Sequence, residues 1–142
     1  MEKINEENLL NAKVRCYAKT NTTKWLGACH KLADYYQDGE FALILATYFQ
    51  RNKKYQSAIE YYKKVLNDKS RINNALLGLC HCYFALNDDQ LFLETLEKLK
   101  QTKSNFYYLC GINYFCKKKD NVKATIIADE ASLINDIDTN NA

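Results

Sequence analysis

Apolar side chains recur along this chain at helical spacing, in blocks separated by short polar breaks. Leu9, Leu10, Val14 and Tyr17 mark a first helix near residues 6–19, and Thr20-Asn21-Thr22-Thr23 interrupts it and offers an N-cap. Trp25, Ala28, Cys29, Leu32 and Tyr36 mark a second, expected to end at Asp38-Gly39, where glycine accepts a left-handed backbone. Ala42, Leu45, Ala46 and Phe49 define a third from about Glu40 to Arg51, and Asn52-Lys53-Lys54 a short turn. A fourth runs from Tyr55 to about Asn67 through Ala58, Ile59, Tyr62 and Val65. The segment Ile72–Leu86 is apolar nearly all round, as expected of a helix flanked on both sides. After Asn87-Asp88-Asp89 comes another helix. Ser104 caps the next, and Asp120-Asn121 opens the last.

The blocks repeat. Leu45-Ala46-x-x-Phe49 with Tyr55, Ala58, Tyr62 and Val65 is followed thirty-four residues on by Leu79-Cys80-x-x-Tyr83 with Phe92, Leu96 and Leu99. A third pass gives Cys110-Gly111-x-x-Tyr114 with Ala124, Ala128 and Ala131. Small residues stand where two helices must approach closely and large ones fill the gaps; Ala58 is expected to face Ala46. The pattern predicts an all-α solenoid of about four stacked antiparallel helical hairpins, near 6–37, 39–68, 71–101 and 104–136, with a frayed tail at 137–142. The fourth hairpin is shorter in spacing by about two residues, which loosens its register.

These residues resemble the tetratricopeptide repeat family over roughly 6–136. The likeness departs where that family favours glycine before the second helix, here Lys53 and Asn87. It departs again where the family favours a closing proline, here Ser70 and Ser104. The resemblance implies a right-handed solenoid that binds proteins. A narrower one joins Val14–Tyr17, Ala28–Leu32 and Phe41–Phe49 to the N-terminal region of tetratricopeptide subunits of the anaphase-promoting complex. It implies a ubiquitin-ligase subunit of the cell cycle that forms a homodimer through its N-terminal hairpins.

Composition narrows the function. A chain of 142 residues suits one domain, and 20 basic against 17 acidic residues is too small a bias to argue for nucleic acid or membrane. Lys117-Lys118-Lys119 is read as a solvated helix end, where cations favour the dipole. No window reaches the roughly 18 apolar residues of a membrane span. Six cysteines without a secretory leader point to the cytoplasm or nucleus, with the thiols as small buried residues.

Candidate chemistry is sparse. Cys80 and Cys82 point about 200° apart on a helix, and no Cys-x-x-Cys or His-x₃₋₅-His pair occurs, so zinc spacing fails. Cys29-His30 and His81-Cys82 are adjacent on helices and cannot pair as nucleophile and base. No catalytic residue, cofactor or metal is expected.

The expected surface is the concave face of the first helices of each hairpin. Its contact residues are Thr47, Gln50, Arg51, Asn74, His81, Phe84, Tyr108 and Phe115. Thr47 and His81 stand where a carboxylate-clamping relative carries asparagine, so an apolar peptide anchor is expected rather than an acidic tail. The expected function is a non-catalytic scaffold or adaptor for a protein or peptide partner. The alternatives are a chaperone for a peptide or secreted client, and an RNA-binding helical repeat, which would need a basic groove.

Overall fold

The computed structural model describes residues 5–36 and 39–140, with the side chains described as far as 134. The expected boundary positions 37 and 38, and 141–142 of the expected tail, lie outside the described residues. Among the described residues there are eight α-helices and no strand. They are α1 (Glu6–Thr20), α2 (Thr22–Tyr35), α3 (Glu40–Arg51), α4 (Tyr55–Val65), α5 (Ile72–Ala85), α6 (Asp89–Gln101), α7 (Phe106–Lys117) and α8 (Asn121–Asn140).

Short polar side chains set the breaks. Asn5 Oδ1 accepts from Glu7 N at 2.8 Å to start α1. Asn21 both ends α1, donating its N–H to Tyr17 O, and opens α2, accepting from Lys24 N at 3.0 Å. Asp88 and Asp120 accept from Leu91 N and Lys123 N to open α6 and α8, and Ser104 Oγ accepts from Phe106 N ahead of α7. Each supplies an acceptor to a helix N-terminus that has no internal one.

Four helix ends share one turn. Lys53, Asn87, Lys103 and Lys119 have φ of 61°, 58°, 57° and 60°. The next residue in each case donates five residues back: Lys54 to Phe49 O, Asp88 to Tyr83 O, Ser104 to Leu99 O and Asp120 to Phe115 O. These are Schellman turns, which glycine favours at the left-handed residue. Two of them, Lys53 and Asn87, are the places where the sequence departs from the repeat's glycine. The chain keeps the conformation with side chains that disfavour it. At Ser70, in place of proline, the N–H and hydroxyl both donate to Asp68 Oδ1, and Arg71 pairs with Asp68 at 2.8 Å. A proline there would forfeit the first of those bonds.

Two expectations are corrected. α2 ends at Tyr35, ahead of Gly39, so that glycine does not close it. Gly39 instead precedes α3 with φ 81°, where a Cβ would stand 3.3 Å from Asp68 Cβ. And α8 continues to Asn140, past the frayed end expected near 136.

Each helix packs against its neighbours in sequence, and α3 also touches α5, and α5 touches α7, across the intervening helix. α5 thus meets α3, α4, α6 and α7 and is buried on almost every side, through Ala75, Leu76, Leu79, Cys80, Cys82 and Tyr83. One core joins α3–α7, a second joins Leu10, Cys29, Leu32, Phe41 and Leu45, and α3 contributes to both. The small residues of the repeat lie inside: Ala46, Ala58 and Cys80 are fully covered. Fully buried leucines (Leu32, Leu45, Leu76 and Leu99) contribute roughly 1.5–3 kcal/mol each. Gly78 admits the Tyr62 ring so closely that a Cβ would overlap it.

Candidate protein-interaction surface

α3 and α2 form one pocket of about 620 Å³. Trp25 enters from α2, while Leu43, Ile44, Thr47, Tyr48 and Arg51 come from α3. The Trp25 and Tyr48 rings meet edge to face at 5.3 Å. Thr47 donates its hydroxyl to Leu43 O at 2.9 Å. Arg51 is exposed at the rim.

Gln50 does not simply face solvent. Its Oε1 accepts from the Tyr62 hydroxyl, and its Nε2 lies 3.3 Å from His81 Nδ1. An amide nitrogen can only donate, so Nδ1 accepts and the ring proton sits on Nε2. This chain ties α3, α4 and α5 together. The surrounding protein holds the His81 pKa below the ordinary histidine value, because burial disfavours the charged ring.

His81 stands at the edge of a second pocket of about 350 Å³ between α5 and α7. Its floor is aromatic: Phe92 stacks on Tyr114 at 4.4 Å, and Phe84 meets both rings edge-on at 6.0 and 6.2 Å. Asn113, Cys116 and Lys117 complete the rim, with Lys117 Nζ 4.9 Å above the Phe84 ring. The Lys117–Lys119 run divides by role. Lys118 pairs with Asp89 at 3.2 Å, Lys119 is the left-handed turn residue, and Lys117 faces the pocket.

The structure therefore separates the sequence-derived contact residues. Thr47 and Arg51 share the first pocket, and His81 and Phe84 the second, while Gln50 bonds His81 and lines neither. Asn74 is exposed on the first turn of α5 and lines neither pocket. Tyr108 lies with Leu109, Ala131 and Ile134 on the α8 side, and Phe115 carries Lys123 of α8 over its ring at 5.4 Å. Beside His81 stand Asn113, Cys116 and Lys117 instead. This is a rotation of about one residue, near 100°, from the expected register of α7. Asn113 was detectable as the lone amide among the apolar and aromatic residues of 106–116. Trp25, Ile44 and Tyr48 carried only their apolar character, which equally fits a core.

The thiol–imidazole neighbours point apart. His30 bonds the Tyr61 hydroxyl at 3.0 Å and lies 3.5 Å from Asp34, while Cys29 and Cys82 are wholly buried and burial pushes each thiol up to about 11. Among the described residues no three His, Cys, Asp or Glu side chains converge on a site that could hold a metal ion, and no helix is long and apolar enough to cross a membrane. Compared with protein-family models, curated proteins and solved structures, the chain matches none.

Proposed function

We propose that this chain is a non-catalytic adaptor: a tetratricopeptide-like, right-handed solenoid of four helical hairpins that holds a protein or peptide partner against α3, α5 and α7. The observation that carries the reading is the α5–α7 pocket, an aromatic floor with a polar rim of His81, Asn113 and Lys117. Such a pocket suits one apolar anchor of an extended or helical peptide, with the rim fixing its orientation. The direct contacts of α3 with α5 and of α5 with α7 support hairpin stacking, because stacked repeats bring alternate helices together. The cationic rim residues are Arg51 and Lys117, few for RNA, so weak salt dependence is expected. The cytoplasm or nucleus suits six free thiols. A place in the anaphase-promoting complex, with self-association through α1–α4, is the narrower form of the same reading.

Two measurements test it. Arg51→Glu with Lys117→Glu changes only exposed rim residues. It should cut partner recovery on the immobilised chain about tenfold, worth about 1.4 kcal/mol, without moving the melting temperature. Undiminished recovery would place the site elsewhere. Light scattering across a concentration series tests self-association: a dimer supports the narrower form, and a monomer throughout removes it.

A further inference from the structure

Three helices follow a left-handed turn residue of the same kind: α4 after Lys53, α6 after Asn87 and α8 after Lys119. Counting from those residues sets the three helices in one register. Their core-facing positions agree, with Ala58, Phe92 and Ala124 all buried. Their outward positions do not. α4 turns Gln56 and Glu60 to solvent, and α6 turns Gln90, Glu94 and Gln101. At the matching places α8 carries Val122, Ile126 and Leu133, which are 71%, 53% and 62% exposed. At about 100° per residue these three lie within roughly 40° of one another, opposite the buried Ala124. An outward helix face is ordinarily polar, as on α4 and α6, and contiguous exposed apolar surface marks an interface. Among the described residues α8 packs against α7 and no other helix, so nothing in this chain covers the stripe.

We propose that the stripe is covered by α8 of a second copy of this chain, running antiparallel to the first. The charges beside the stripe select this occupant. Lys123 and Glu130 stand seven residues apart on one flank of it. Lys123 is exposed, reaching Asp120 only at 3.8 Å and lying 5.4 Å from the centre of the Phe115 ring. Glu130 is exposed too; it borders a pocket with Lys100 and Lys103 and makes no ion pair among the described residues. A two-fold axis across antiparallel helices brings like flanks together in reversed direction. Lys123 of each copy then meets Glu130 of the other, while Val122, Ile126 and Leu133 close the seam. A parallel pairing would set that flank against Thr125 and Ser132 and leave both charges without an opposite. Asp129 lies on the stripe itself, and a carboxylate in the seam loses water, which keeps the association weak. A single helix pair falls at or below the low end of specific interfaces, about 1,200 Å², so the dimer is reversible and concentration-dependent. None of these residues lines the α5–α7 pocket, and the proposal does not rest on partner binding there.

The test is sedimentation velocity of the full chain over a concentration series, with circular dichroism as the check on folding. Wild type should pass from monomer to dimer as concentration rises. Ile126→Glu alters an exposed side chain, so it should keep the fold and raise the dissociation constant about tenfold or more. Asp129→Leu should lower that constant. Lys123→Glu and Glu130→Lys should each weaken self-association by setting like charges opposite. Mixed together, with one of them fluorescently labelled, those two variants should pair with each other. A dimer through α1–α4 would be untouched by all four changes. Three results would each overturn the proposal: a wild type that stays monomeric at every concentration, a dimer indifferent to Ile126→Glu, or charge variants with no preference for each other.

Discussion

Replacing Gly78 by alanine adds a single methyl group to the middle of α5. In an open helix that change stabilises by about 1 kcal/mol, because glycine loses more backbone freedom on folding. Here the new Cβ would stand 2.2, 2.4 and 2.6 Å from Cζ, Cε1 and Cε2 of Tyr62. Carbon atoms rest about 3.5–4.0 Å apart, so the ring must retreat by roughly 1 Å. It has little room: Tyr62 is 3% exposed and its hydroxyl is held by Gln50. Overpacking of a filled core costs about 1–3 kcal/mol, and a lost hydrogen bond about 1 more. After the helical gain is subtracted, a net loss of about 1–3 kcal/mol remains, or roughly 3–10 °C in melting temperature for a chain of this size. Two other glycines calibrate the result. A Cβ at Gly27 meets nothing within 4 Å, so Gly27→Ala should stabilise by about 1 kcal/mol. At Gly111 it meets Ile127 Cδ1 at 3.0 Å, the end of a flexible side chain, so Gly111→Ala should fall between the two. Urea unfolding followed by circular dichroism gives all three. Tyr62→Leu should then reverse the sign of Gly78→Ala, a coupling that a double-mutant cycle measures directly. A Gly78→Ala protein as stable as Gly27→Ala would refute the close approach of α4 and α5.

The left-handed turns give a second prediction: Lys53→Gly should stabilise by about 1 kcal/mol and Asn87→Gly by less, since asparagine tolerates that backbone better; equal melting shifts would count against it. His81 supplies a pH dependence. Its folded pKa is depressed by burial, so as pH falls below about 6.5 the unfolded chain takes up the proton first. The contribution of His81 is complete above that value and is lost towards the folded pKa. His81→Gln should therefore flatten melting temperature against pH between 7 and about 5, and an unchanged slope would refute the assignment. Ala58 is wholly buried in the main core, so Ala58→Arg would force a cation among apolar side chains and should cost more than about 4 kcal/mol; retained helicity and melting temperature would contradict the packing.

Helix positions were legible because they depend on local spacing and on caps that act within three residues. Asn21, Ser104 and Asp120 were recognisable as breaks, and each provides a hydrogen bond at one. The two ends that shifted lacked such a signal. Gly39 suggested a C-terminal stop for α2, but its left-handed backbone serves the close approach of the α3 entry to Asp68, a contact between residues far apart in sequence. The α8 end was read from polarity alone, and polar residues extend a helix as readily as they end one. Of the residues expected at a contact surface, Thr47, Arg51, His81 and Phe84 of α3 and α5 line pockets in the structure. Tyr108 and Phe115 of α7 line neither of those two pockets, because a rotation of one residue moves every side chain by about 100° and the shortened last repeat fixes no phase.

The sequence by itself determined an all-helical chain, the places where its helices begin, and the small residues Ala46, Ala58 and Cys80 that had to be covered. These follow from periodicity and local hydrogen bonding, which neighbouring residues settle among themselves. Only the tertiary structure decided that Gln50 would join Tyr62 to His81, and that Asn113 and Lys117 rather than Tyr108 and Phe115 would flank that histidine. Each of those depends on the rotation and approach of different helices, from 12 residues apart for Gln50 and Tyr62 to 31 for Gln50 and His81. Close packing of large and small side chains sets that geometry, and no local rule encodes it.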